Sequence, residues 1–458
     1  MKCMNLIKWS MHDSQRRNIR LEIDKLLSDL IPKNMMRRGR ITLDEQISPL
    51  KDLLNRRRFP DASFSDSQIE LLLTLLSAMD TDKDAEAARV GEREGRVASP
   101  LVARLAGNFV HGIGRSGHIT APQPKAAGAS LMQKLTNQIA IDAIQRLGLP
   151  NIKCGAVLPL STGMTIGLVV SALRREHGVK QILFPRIDHK SPTRGISLAG
   201  VKEITVPTEL QGDAVVPDVS FLEREAKSEN NCAVLSTTTF FPPRESDPVK
   251  EIAKICSERS VPHIINNAYG VQSRKIMKSI MSAIDAGRVD AVLQSTDKNF
   301  LAPVGGAIVV TTREKFLEEI VKTYAGRGTA APVFQTLAAL LALGLTRYQK
   351  LRDEQQENRK LLEKELGQLA ESISQRILDV KNPIACAITM DDMDVKEIGG
   401  RLYNRRVTGP RAVKSGTPGS CIDDYPHDYL VMNAAIGATK SDIQKAIKKL
   451  YKELKSHK

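Results

Sequence analysis

The sequence predicts an α/β fold with a mostly parallel sheet in its larger domain. Between about residues 150 and 310, short apolar runs alternate with segments that are long enough to form helices. The runs are apolar throughout rather than alternating with polar residues, which is typical of strands that are buried on both faces of a parallel sheet. Seven runs have this character, at residues 156–158, 182–184, 204–206, 233–235, 263–265, 291–293 and 307–309. Ligands of such sheets bind beyond the carboxyl ends of the strands.

The chain of 458 residues is long enough for two or three domains. We predict a helical extension over residues 1–80, a large domain over residues 81–330, and connector helices with a smaller C-terminal α+β domain over residues 331–458. The extension contains an apolar stripe at helical spacing, formed by Ile19, Ile23, Leu26, Leu27 and Leu30. Because this stripe has no strand to cover it, we expect it to serve oligomerisation. Ser65, with Gln68 three residues later, is typical of a capping box.

The composition predicts a cytoplasmic protein without a membrane segment. Hydrophobic residues make up 41% of the chain, and we find no apolar run of about 18 residues and no leader segment. The six cysteines are scattered without a C-x-x-C pair, which favours reduced thiols over a zinc site or a disulfide framework. We therefore expect no bound metal.

The net charge of +15 and the isoelectric point near 9.5 predict an anionic partner. Such an excess attracts polyanions over long range, and RNA is the leading candidate. A basic surface that serves only solubility is the alternative. The last predicted helix has lysines beside its apolar stripe. These lysines could contact RNA or could form an ordinary solvated face. These lysines are Lys445, Lys448, Lys449, Lys452 and Lys455.

Lys298 lies where a reactive amine is expected. It follows the apolar run at 291–293, and Gly305 and Gly306 then permit a tight turn into the next run. A lysine that is packed among apolar neighbours loses hydration, so its pKa falls and its free amine can form a Schiff base with an aldehyde cofactor. An ordinary solvated loop lysine is the alternative for this residue taken alone.

Two further segments place polar side chains after apolar runs. Ser161, Thr162 and Gly163 open a predicted helix, whose unpaired N–H groups and dipole suit a phosphate, although a simple helix cap explains the same residues. Asn266 follows another run, where its amide could bind a heteroaromatic ring nitrogen or could form a turn. Along the chain, a helix start that suits a phosphate is followed by an amide that suits a ring nitrogen and then by a Schiff-base lysine, each at a strand end. This order predicts a pyridoxal 5'-phosphate site.

A glycine- and arginine-rich stretch predicts a second anion site. It covers residues 91–96, 111–118 and 123–125, where cations alternate with glycines that let backbone amides approach an anion. It is not a Walker A loop, because no G-K-[ST] closes it at the required spacing. Arg327, beyond the lysine strand, could complete a clamp on a phosphate distinct from that of the cofactor. A glycine-rich connector with surface arginines is the alternative.

Several motifs resemble those of one family. They are GEREGRVAS at 91–99, HGIGRSG at 111–117, QPKAAG at 123–128, NNAYGVQS at 266–273, and the segment from Gln294 through DKNF to PVGGA. All of them look like the O-phosphoseryl-tRNA(Sec) selenium transferases, the selenocysteine synthases of archaea and eukaryotes. The resemblance is weaker in the C-terminal domain and weakest in the N-terminal helices. It implies a fold-type I pyridoxal phosphate transferase that assembles as a homotetramer through its N-terminal extension.

The resemblance also implies roles for individual residues. Lys298 matches the Schiff-base lysine. The positions that match cofactor-binding residues are Lys298, Arg93, Ser161, Thr162, Gly163 and Asn266. The positions that match the clamp on the phosphoserine phosphate are Arg115, Ser116, Gln123 and Arg327. Arg411 resembles the family arginine that reads the acceptor end of the tRNA.

Two positions depart from the eukaryotic relatives. His189 stands where those relatives have glutamine, which leaves the role of the position open. Asp285 falls where they have an arginine that contacts tRNA, which puts that contact in doubt, although Arg288 is near.

The resemblance implies an enzyme that converts O-phosphoseryl-tRNA(Sec) to selenocysteinyl-tRNA(Sec) with selenophosphate as donor. Phosphate would be eliminated and selenium added, with Lys298 as general base at Cα and the arginine clamp on the leaving phosphate. A free-amino-acid lyase or a cysteine synthase acting on phosphoseryl-tRNA would share Lys298. A non-catalytic tRNA-binding protein would keep the basic surface without the cofactor.

Overall fold

The computed structural model describes residues 30–455, which divide after Arg56 into two compact units. The extension that we predicted over residues 1–80 therefore extends across this division. The predicted apolar stripe from Ile19 to Leu27 lies outside the described residues, and Leu30 at their beginning is exposed.

The first unit contains helix α1 (Lys33–Arg56), which begins directly after Pro32. Proline cannot donate a backbone hydrogen bond and is therefore common at a helix boundary. Leu43, Ile47 and Leu50 are spaced at i, i+4 and i+7 and so share one face of this helix. Leu43 at the end of this apolar face is 57% exposed.

The second unit contains a large sheet, a smaller sheet and a hairpin. Its strands are β1 (Cys154–Leu158), β2 (Gln181–Pro185), β3 (Lys202–Val206), β4 (Thr208–Gln211), β5 (Ala214–Pro217), β6 (Cys232–Thr237), β7 (His263–Asn266), β8 (Ala291–Ser295), β9 (Ala307–Thr311), β10 (Ala385–Thr389), β11 (Arg411–Val413) and β12 (Tyr429–Asn433).

Helices flank these strands. They are α2 (Asp66–Ser77), α3 (Pro100–Leu105), α4 (Ala127–Arg146), α5 (Thr162–His177), α6 (Lys190–Leu198), α7 (Val219–Glu225), α8 (Val249–Glu258), α9 (Arg274–Ala286), α10 (Thr296–Phe300), α11 (Glu314–Thr323), α12 (Ala331–Glu371), α13 (Val395–Asn404) and α14 (Lys440–Lys455). Helix α2 begins with the predicted capping box, in which Ser65 and Gln68 exchange hydrogen bonds. No helix within residues 30–455 combines the length and apolar character that a bilayer crossing requires.

The large sheet confirms the predicted fold class. Its seven strands lie in the order β1-β9-β8-β7-β6-β2-β3, and each contains one of the seven apolar runs. Strands β3, β2, β6, β7 and β8 pair in parallel, and β9 is antiparallel to both of its neighbours. The β4–β5 hairpin was not predicted, because β4 is mostly exposed and lacks an apolar run.

The C-terminal domain is built on the second half of helix α12. This helix bends at Gly344, which has a φ of 59° and packs so closely on Ala62 that a Cβ would come within 2.7 Å of its carbonyl carbon. Beyond the bend, α12 packs with α13, α14 and the antiparallel sheet β10-β12-β11. Leu366, Ile388 and Leu450 are fully buried in the core of this domain.

Candidate active site

A cavity of about 240 Å³ lies at the carboxyl ends of the central parallel strands. We call it the cofactor cavity, after the ligand that the sequence predicts for it. Most of its lining comes from the segments after β1, β2, β6, β7 and β8, at residues 161–163, 187–192, 237–241, 266–269 and 295–298. Ser161, Thr162, Gly163, Asn266 and Lys298 are therefore brought together although they are distant in the chain.

The start of helix α5 offers unpaired donors to this cavity. Ser161 precedes the helix in an extended conformation, and its side chain makes no capping hydrogen bond in the described chain. Ser161 therefore occupies the N-cap position, but a simple helix cap does not account for its side chain. The buried Thr162 hydroxyl has no hydrogen-bond partner within residues 30–455. Free N–H groups at a helix start, together with a free hydroxyl, suit a phosphate.

Glycines bring the helices on either side of this start close together. A Cβ on Gly163 would lie 3.0 Å from Cβ of Ser191, and a Cβ on Gly195 would lie 2.4 Å from the Gly163 carbonyl oxygen. Helices α5 and α6 therefore approach at backbone distance. This approach places Ser191 and the start of α6 in the cavity wall opposite Thr162.

Neutral polar groups at the strand ends face the same cavity. Asn266 ends β7 and is buried, and its Oδ1 has no partner in the part of the chain that the structure describes. The hydroxyls of Thr237, Thr239 and Tyr269 are also buried, and they have no hydrogen-bond partner among the described residues. Burial raises the pKa of Tyr269. An unpaired buried polar group costs about 1–3 kcal/mol, so these atoms favour a ligand that bonds to them.

Lys298 lies in the short helix α10, and its side chain is exposed toward the cavity. The prediction that it packs among apolar neighbours is wrong. Its backbone is nevertheless held firmly: Gln272 donates from Nε2 to the Lys298 carbonyl at 3.2 Å, and Tyr348 donates from its hydroxyl to the Asn299 carbonyl at 2.9 Å. Fixing the backbone on both sides of the lysine limits where its Nζ can reach.

Gln272 also connects the lysine segment to the C-terminal domain. Its Oε1 accepts a hydrogen bond from the backbone N–H of Ile436 at 2.7 Å, and the side chain is 1% exposed. One buried amide therefore joins the backbone of Lys298 to the segment between β12 and α14. No pattern in the sequence indicates this role, because Gln272 lies in a loop without periodicity.

His189 lines the cavity wall after β2. Its Nδ1 accepts the backbone N–H of Ser191 at 3.2 Å, and its ring meets the Phe240 ring edge-on with centroids 6.2 Å apart. Burial lowers the pKa of His189, and the positive charges of Lys298 and Arg411 lower it further. A neutral imidazole therefore faces the cavity at this position.

Arg411 stands at the rim of the same cavity. Its guanidinium lies over the Phe241 ring at 5.0 Å and over the Phe240 ring at 5.4 Å, and both rings line the cavity. Such stacking stabilises a cation at an apolar surface. Sequence reasoning missed the two phenylalanines, although they follow the β6 run as other lining segments follow theirs.

Asp188 anchors the loop that lies next to Arg411. Its Oδ2 accepts backbone N–H groups from Gly419 at 2.6 Å and from Cys421 at 2.9 Å, and Gly419 in turn accepts from Arg411 at 3.4 Å. Burial would raise the pKa of Asp188, but these bonds and Arg186 hold it below its usual value. The carboxylate therefore fixes the C-terminal loop against the segment that carries His189.

Asp285 and Arg288 lie at the opposite end of the sheet, before the amino end of β8. Asp285 accepts from the side-chain amide of Asn151 at 3.1 Å. Arg288 donates to the buried carboxylate of Asp290 at 2.8 Å and 3.1 Å. Both residues are therefore engaged in local contacts, away from the cofactor cavity.

A second, smaller cavity of about 170 Å³ gathers charged groups, and we call it the arginine pocket. It is lined by Glu92, Arg93, Glu94, Gly95, His111, Lys125 and Arg327. Lys125 and Glu94 form an ion pair at 2.6 Å, which lowers the pKa of Glu94. The loops that carry His111 and Arg327 are joined by hydrogen bonds between the backbones of Ile113 and Gly328.

The loop that carries Arg327 packs against the segment that leads into the cofactor cavity. A Cβ on Gly328 would lie 2.7 Å from Cγ of Pro159, which precedes Ser161 by two residues. The segment after Arg327 therefore packs directly against the segment that leads into the cofactor cavity.

The predicted phosphate clamp is only partly assembled within one chain. Arg93 and Arg327 share the arginine pocket, so Arg93 lies outside the cofactor cavity where its predicted role would place it. Arg115 and Ser116 are exposed at the tip of a tight loop that is closed by hydrogen bonds between Arg115 and His118. Together with Gln123 they line neither cavity.

Sequence comparison identifies close relatives. The profile of the family described as O-phosphoseryl-tRNA(Sec) selenium transferase, SepSecS, matches residues 79–455. The O-phosphoseryl-tRNA(Sec) selenium transferase of Methanococcus maripaludis is 44% identical over 438 residues, which cover 94% of this chain and 100% of the relative. That of Methanopyrus kandleri is 45% identical over 429 residues and covers 93% of this chain and 99% of the relative.

Structural comparison agrees. The crystal structure of an archaeal O-phosphoseryl-tRNA(Sec) selenium transferase superposes with a TM-score of 0.89 at 44% identity, over 92% of this chain and 98% of that one. A more distant likeness is to Oryza sativa TDC with PLP and tryptamine, with a TM-score of 0.60 at 11% identity over 93% and 99% of the two chains. At that identity the likeness shows the fold alone, which is that of a pyridoxal-phosphate-bound protein.

Proposed function

Because this chain belongs to the family of O-phosphoseryl-tRNA(Sec) selenium transferases, we propose that it uses pyridoxal 5'-phosphate as cofactor and selenophosphate as selenium donor. It converts O-phosphoseryl-tRNA(Sec) into selenocysteinyl-tRNA(Sec). The observation that carries the proposal is the set of unpaired buried polar atoms on Thr162 and Asn266, in the cavity that Lys298 enters. A cytoplasmic location is part of the proposal.

The residues present fit the cofactor. Ser161, Thr162 and Gly163 at the start of α5 would hold its phosphate, and Asn266 would bond its ring nitrogen. Lys298 would hold its aldehyde carbon. When bound, the cofactor supplies an aldehyde that links to an amine and withdraws electrons from the amino acid Cα. The neutral imidazole of His189 and the Phe240 ring would line the space around the cofactor ring and exclude water from it.

Lys298 would move the first proton. Once the amine of the phosphoseryl group replaces it, Lys298 Nζ is free to take the proton from Cα. The hydrogen bond from Gln272 to the Lys298 carbonyl keeps the amine within reach of that carbon. Phosphate would then leave Cβ, and the selenium of selenophosphate would bond to the same carbon while Lys298 returns the proton to Cα. Water would then cleave the Se–P bond, so that the donor's phosphate leaves and the selenol remains.

The arginine pocket would hold the phosphate that leaves. Arg93 and Arg327 bring two guanidinium groups to one small cavity, and Lys125 adds an ammonium. Guanidinium forks bind phosphate in a bidentate manner and stabilise the charge that grows on it as the Cβ–O bond breaks. The packing of Gly328 against Pro159 supports the proposal that one phosphoseryl group spans the two sites.

A homotetramer would complete the clamp. Arg115, Ser116 and Gln123 are assigned to the phosphate by the family resemblance but line neither cavity within one chain. We propose that a second copy places these groups at its neighbour's site. The exposed tip of their loop leaves them accessible to a second chain, and exposed Leu43 on α1 offers an apolar contact for assembly.

Arg411 and the basic surface would serve the tRNA. The Arg411 guanidinium lies at the rim of the cofactor cavity, where the acceptor end must arrive if its aminoacyl group is to reach Lys298. Helix α14 presents Lys445, Lys448, Lys452 and Lys455 to solvent, whereas Lys449 donates to the Arg405 carbonyl at 2.7 Å. The exposed lysines suit the tRNA backbone.

A sulfur-transferring alternative is less well supported. An enzyme that passes sulfur through a cysteine needs a mobile thiol beside the cofactor, and none of the five cysteines within residues 30–455 lines the cofactor cavity. The nearest in the fold, Cys421, is buried behind Asp188, and burial raises its thiol pKa to about 12. A thiol with such a pKa is a poor nucleophile at neutral pH.

The test is a selenium-transfer assay on phosphoseryl-tRNA(Sec) with purified, cofactor-loaded protein. We expect selenocysteinyl-tRNA(Sec) with selenophosphate and little product with sulfide or free selenide. Borohydride reduction should fix the cofactor to Lys298. Product formation that is equally fast with sulfide would identify a cysteine synthase instead, and absence of a reducible adduct would remove the cofactor assignment.

A further inference from the structure

We propose that His111 is a further catalytic residue, which gives a proton to the phosphate oxygen that leaves Cβ. The inference rests on the proposed function, because it takes the arginine pocket as the site of that phosphate. Neither the sequence motifs nor the family resemblance assigned His111 a role.

The geometry points His111 into the pocket. The residue is 4% exposed and lines the pocket with Arg93 and Arg327, and its buried Nε2 has no hydrogen-bond partner among the described residues. Nε2 lies 3.5 Å from Oδ1 of Asp82, which is beyond a good hydrogen bond. A Cβ on Gly95 would come within 2.9 Å of Nε2, so only glycine at that position keeps the ring edge open.

The surroundings favour proton uptake when an anion binds. Asp80, Asp82 and Glu94 face the imidazole with negative charge, and Lys125 faces it with positive charge, as do the pocket's Arg93 and Arg327. Burial lowers the pKa of His111, so the ring is neutral at pH 7 without an anion beside it. A bound dianion favours the charged imidazolium and raises this pKa again. Binding of the phosphate therefore protonates the His111 ring, which later donates this proton to the leaving oxygen.

The reaction requires such a proton. When the Cα–H bond breaks, its electron pair forms the Cα–Cβ double bond, and the Cβ–O bond breaks with its pair remaining on oxygen. A phosphoseryl dianion would then release a trianion unless a proton reaches that oxygen. Transfer from His111 Nε2 gives hydrogen phosphate and a neutral ring, while Lys298 holds the Cα proton.

Other donors in the pocket are less suitable. Arginine cannot release a proton near neutral pH, and the Lys125 ammonium is paired with Glu94 at 2.6 Å. His118, on the same loop, pairs with Glu318 at 3.1 Å on the protein surface and lines neither cavity. His118 is therefore a matched control for His111.

The first experiment measures proton uptake with sulfate as the probe, because sulfate is a tetrahedral dianion that does not titrate near neutral pH. Calorimetric titration of the cofactor-loaded protein in buffers of different ionisation enthalpy gives the protons bound per sulfate. We expect uptake approaching about one proton per site in the parent protein and in His118→Gln. The His111→Gln variant should bind sulfate with almost no proton uptake. Equal uptake in His111→Gln, or sulfate binding to the parent without uptake, would overturn the proposal.

The second experiment separates a catalytic role from a structural one. His111→Gln should lower kcat for phosphoseryl-tRNA by about 10²–10⁴-fold with little change in KM, while the visible absorbance of the bound cofactor is retained. Asp82→Asn, a milder change, removes a charge that raises the His111 pKa. The basic limb of its kcat profile should therefore move to lower pH. An unmoved limb, or a loss of KM alone, would contradict the proton-donor role.

These outcomes are distinct from failure of the proposed function. If selenophosphate gives no product with the parent enzyme, the function fails, whereas the sulfate titration still reports whether His111 takes up a proton in the pocket.

Discussion

The cofactor cavity and the arginine pocket are built in different ways. The cavity is formed by strand ends and presents neutral buried groups without partners, such as the Thr162 hydroxyl and the Asn266 amide. The pocket is formed by loops and presents charged groups, of which Lys125 is already paired with Glu94. One site is ready for a permanent ligand, and the other holds counter-charges of its own.

This difference follows from how long each ligand stays. A resident cofactor can satisfy buried polar atoms continuously, so their cost of about 1–3 kcal/mol each is offset for the lifetime of the protein. A phosphate that arrives and leaves at each turnover would leave buried charges unpaired between turnovers. An unpaired buried charge costs more free energy than an unpaired neutral group. Internal ion pairs such as Glu94–Lys125 reduce that cost. We therefore expect changes in the two sites to separate cofactor binding from substrate turnover.

The largest effect is expected for Lys298→Ala. Loss of the amine removes both the attachment point and the proton acceptor, so turnover should fall by about 10⁴-fold or more. Borohydride should no longer fix the cofactor to the protein, as peptide mass analysis can show. Lys315→Ala, at an exposed lysine of α11, is the control and should behave as the parent. Equal trapping in Lys298→Ala would exclude this lysine as the attachment point.

The next largest loss of turnover is expected for a change in the arginine pocket. Arg327→Ala should lower turnover of phosphoseryl-tRNA by about 10²–10³-fold, because a donor that stabilises the growing phosphate charge is lost. The visible absorbance of the bound cofactor should be unchanged, since Arg327 does not line the cofactor cavity. Arg259→Ala, at an exposed arginine after α8, is the control. Loss of cofactor from Arg327→Ala would show that the two sites are not separable.

The sequence predicted the cofactor cavity better than the pocket, for a physical reason. Short apolar runs are a local signal of buried strands, and all seven predicted runs lie in strands of the large sheet, although the edge strand β3 is mostly exposed or half-buried. Because parallel strands end at one edge of the sheet, placing Ser161, Asn266 and Lys298 after such runs was enough to bring them together.

The arginine pocket had no such guide. Its groups lie on loops between residues 92 and 125 and on the loop at Arg327, and loop conformation depends on tertiary contacts that leave no period in the sequence. Arg327 was therefore grouped with Arg115 and Ser116, which line neither cavity, and Arg93 was assigned to the cofactor. Gln272 was missed because its role rests on two buried hydrogen bonds, and His111 because its proposed role rests on one unpaired atom.

Assembly provides a sharper test of the pocket. Leu43→Glu should weaken association by placing a carboxylate on the apolar face of α1, which light scattering would show as a lower particle mass. If a second copy supplies Arg115 and Ser116, turnover should fall by about 10–100-fold with the assembly, while cofactor absorbance remains. Full turnover by dissociated protein would show that one chain contains the complete clamp. Asp44→Lys, at the adjacent exposed residue, is the control.

A smaller effect is expected for Gln272, which supports the backbone of Lys298. Gln272→Ala removes the hydrogen bonds to the Lys298 carbonyl and from the Ile436 N–H, so the amine is less well placed. The loss of one bond of about 1 kcal/mol predicts a decrease in kcat of about 3–10-fold with KM nearly unchanged. Gln272→Met keeps the volume of the side chain and separates the lost bonds from a packing defect. Unchanged kcat in both variants would exclude a positioning role for Gln272.

The smallest effect is expected where neither site is touched, on the exposed face of helix α14. Lys448→Glu with Lys452→Glu changes two exposed lysines one helical turn apart, which can approach the tRNA backbone if this face binds it. Each lost phosphate contact should reduce the slope of log affinity against log salt by about 1. Lys250→Glu with Lys254→Glu on α8 has the same spacing, exposure and change in net charge. If only the α14 pair flattens the slope, the contact is local. If both pairs change it equally, the attraction arises from net charge. In either case cofactor absorbance and sulfate binding should stay at parental values, because both cavities lie outside the changed surfaces.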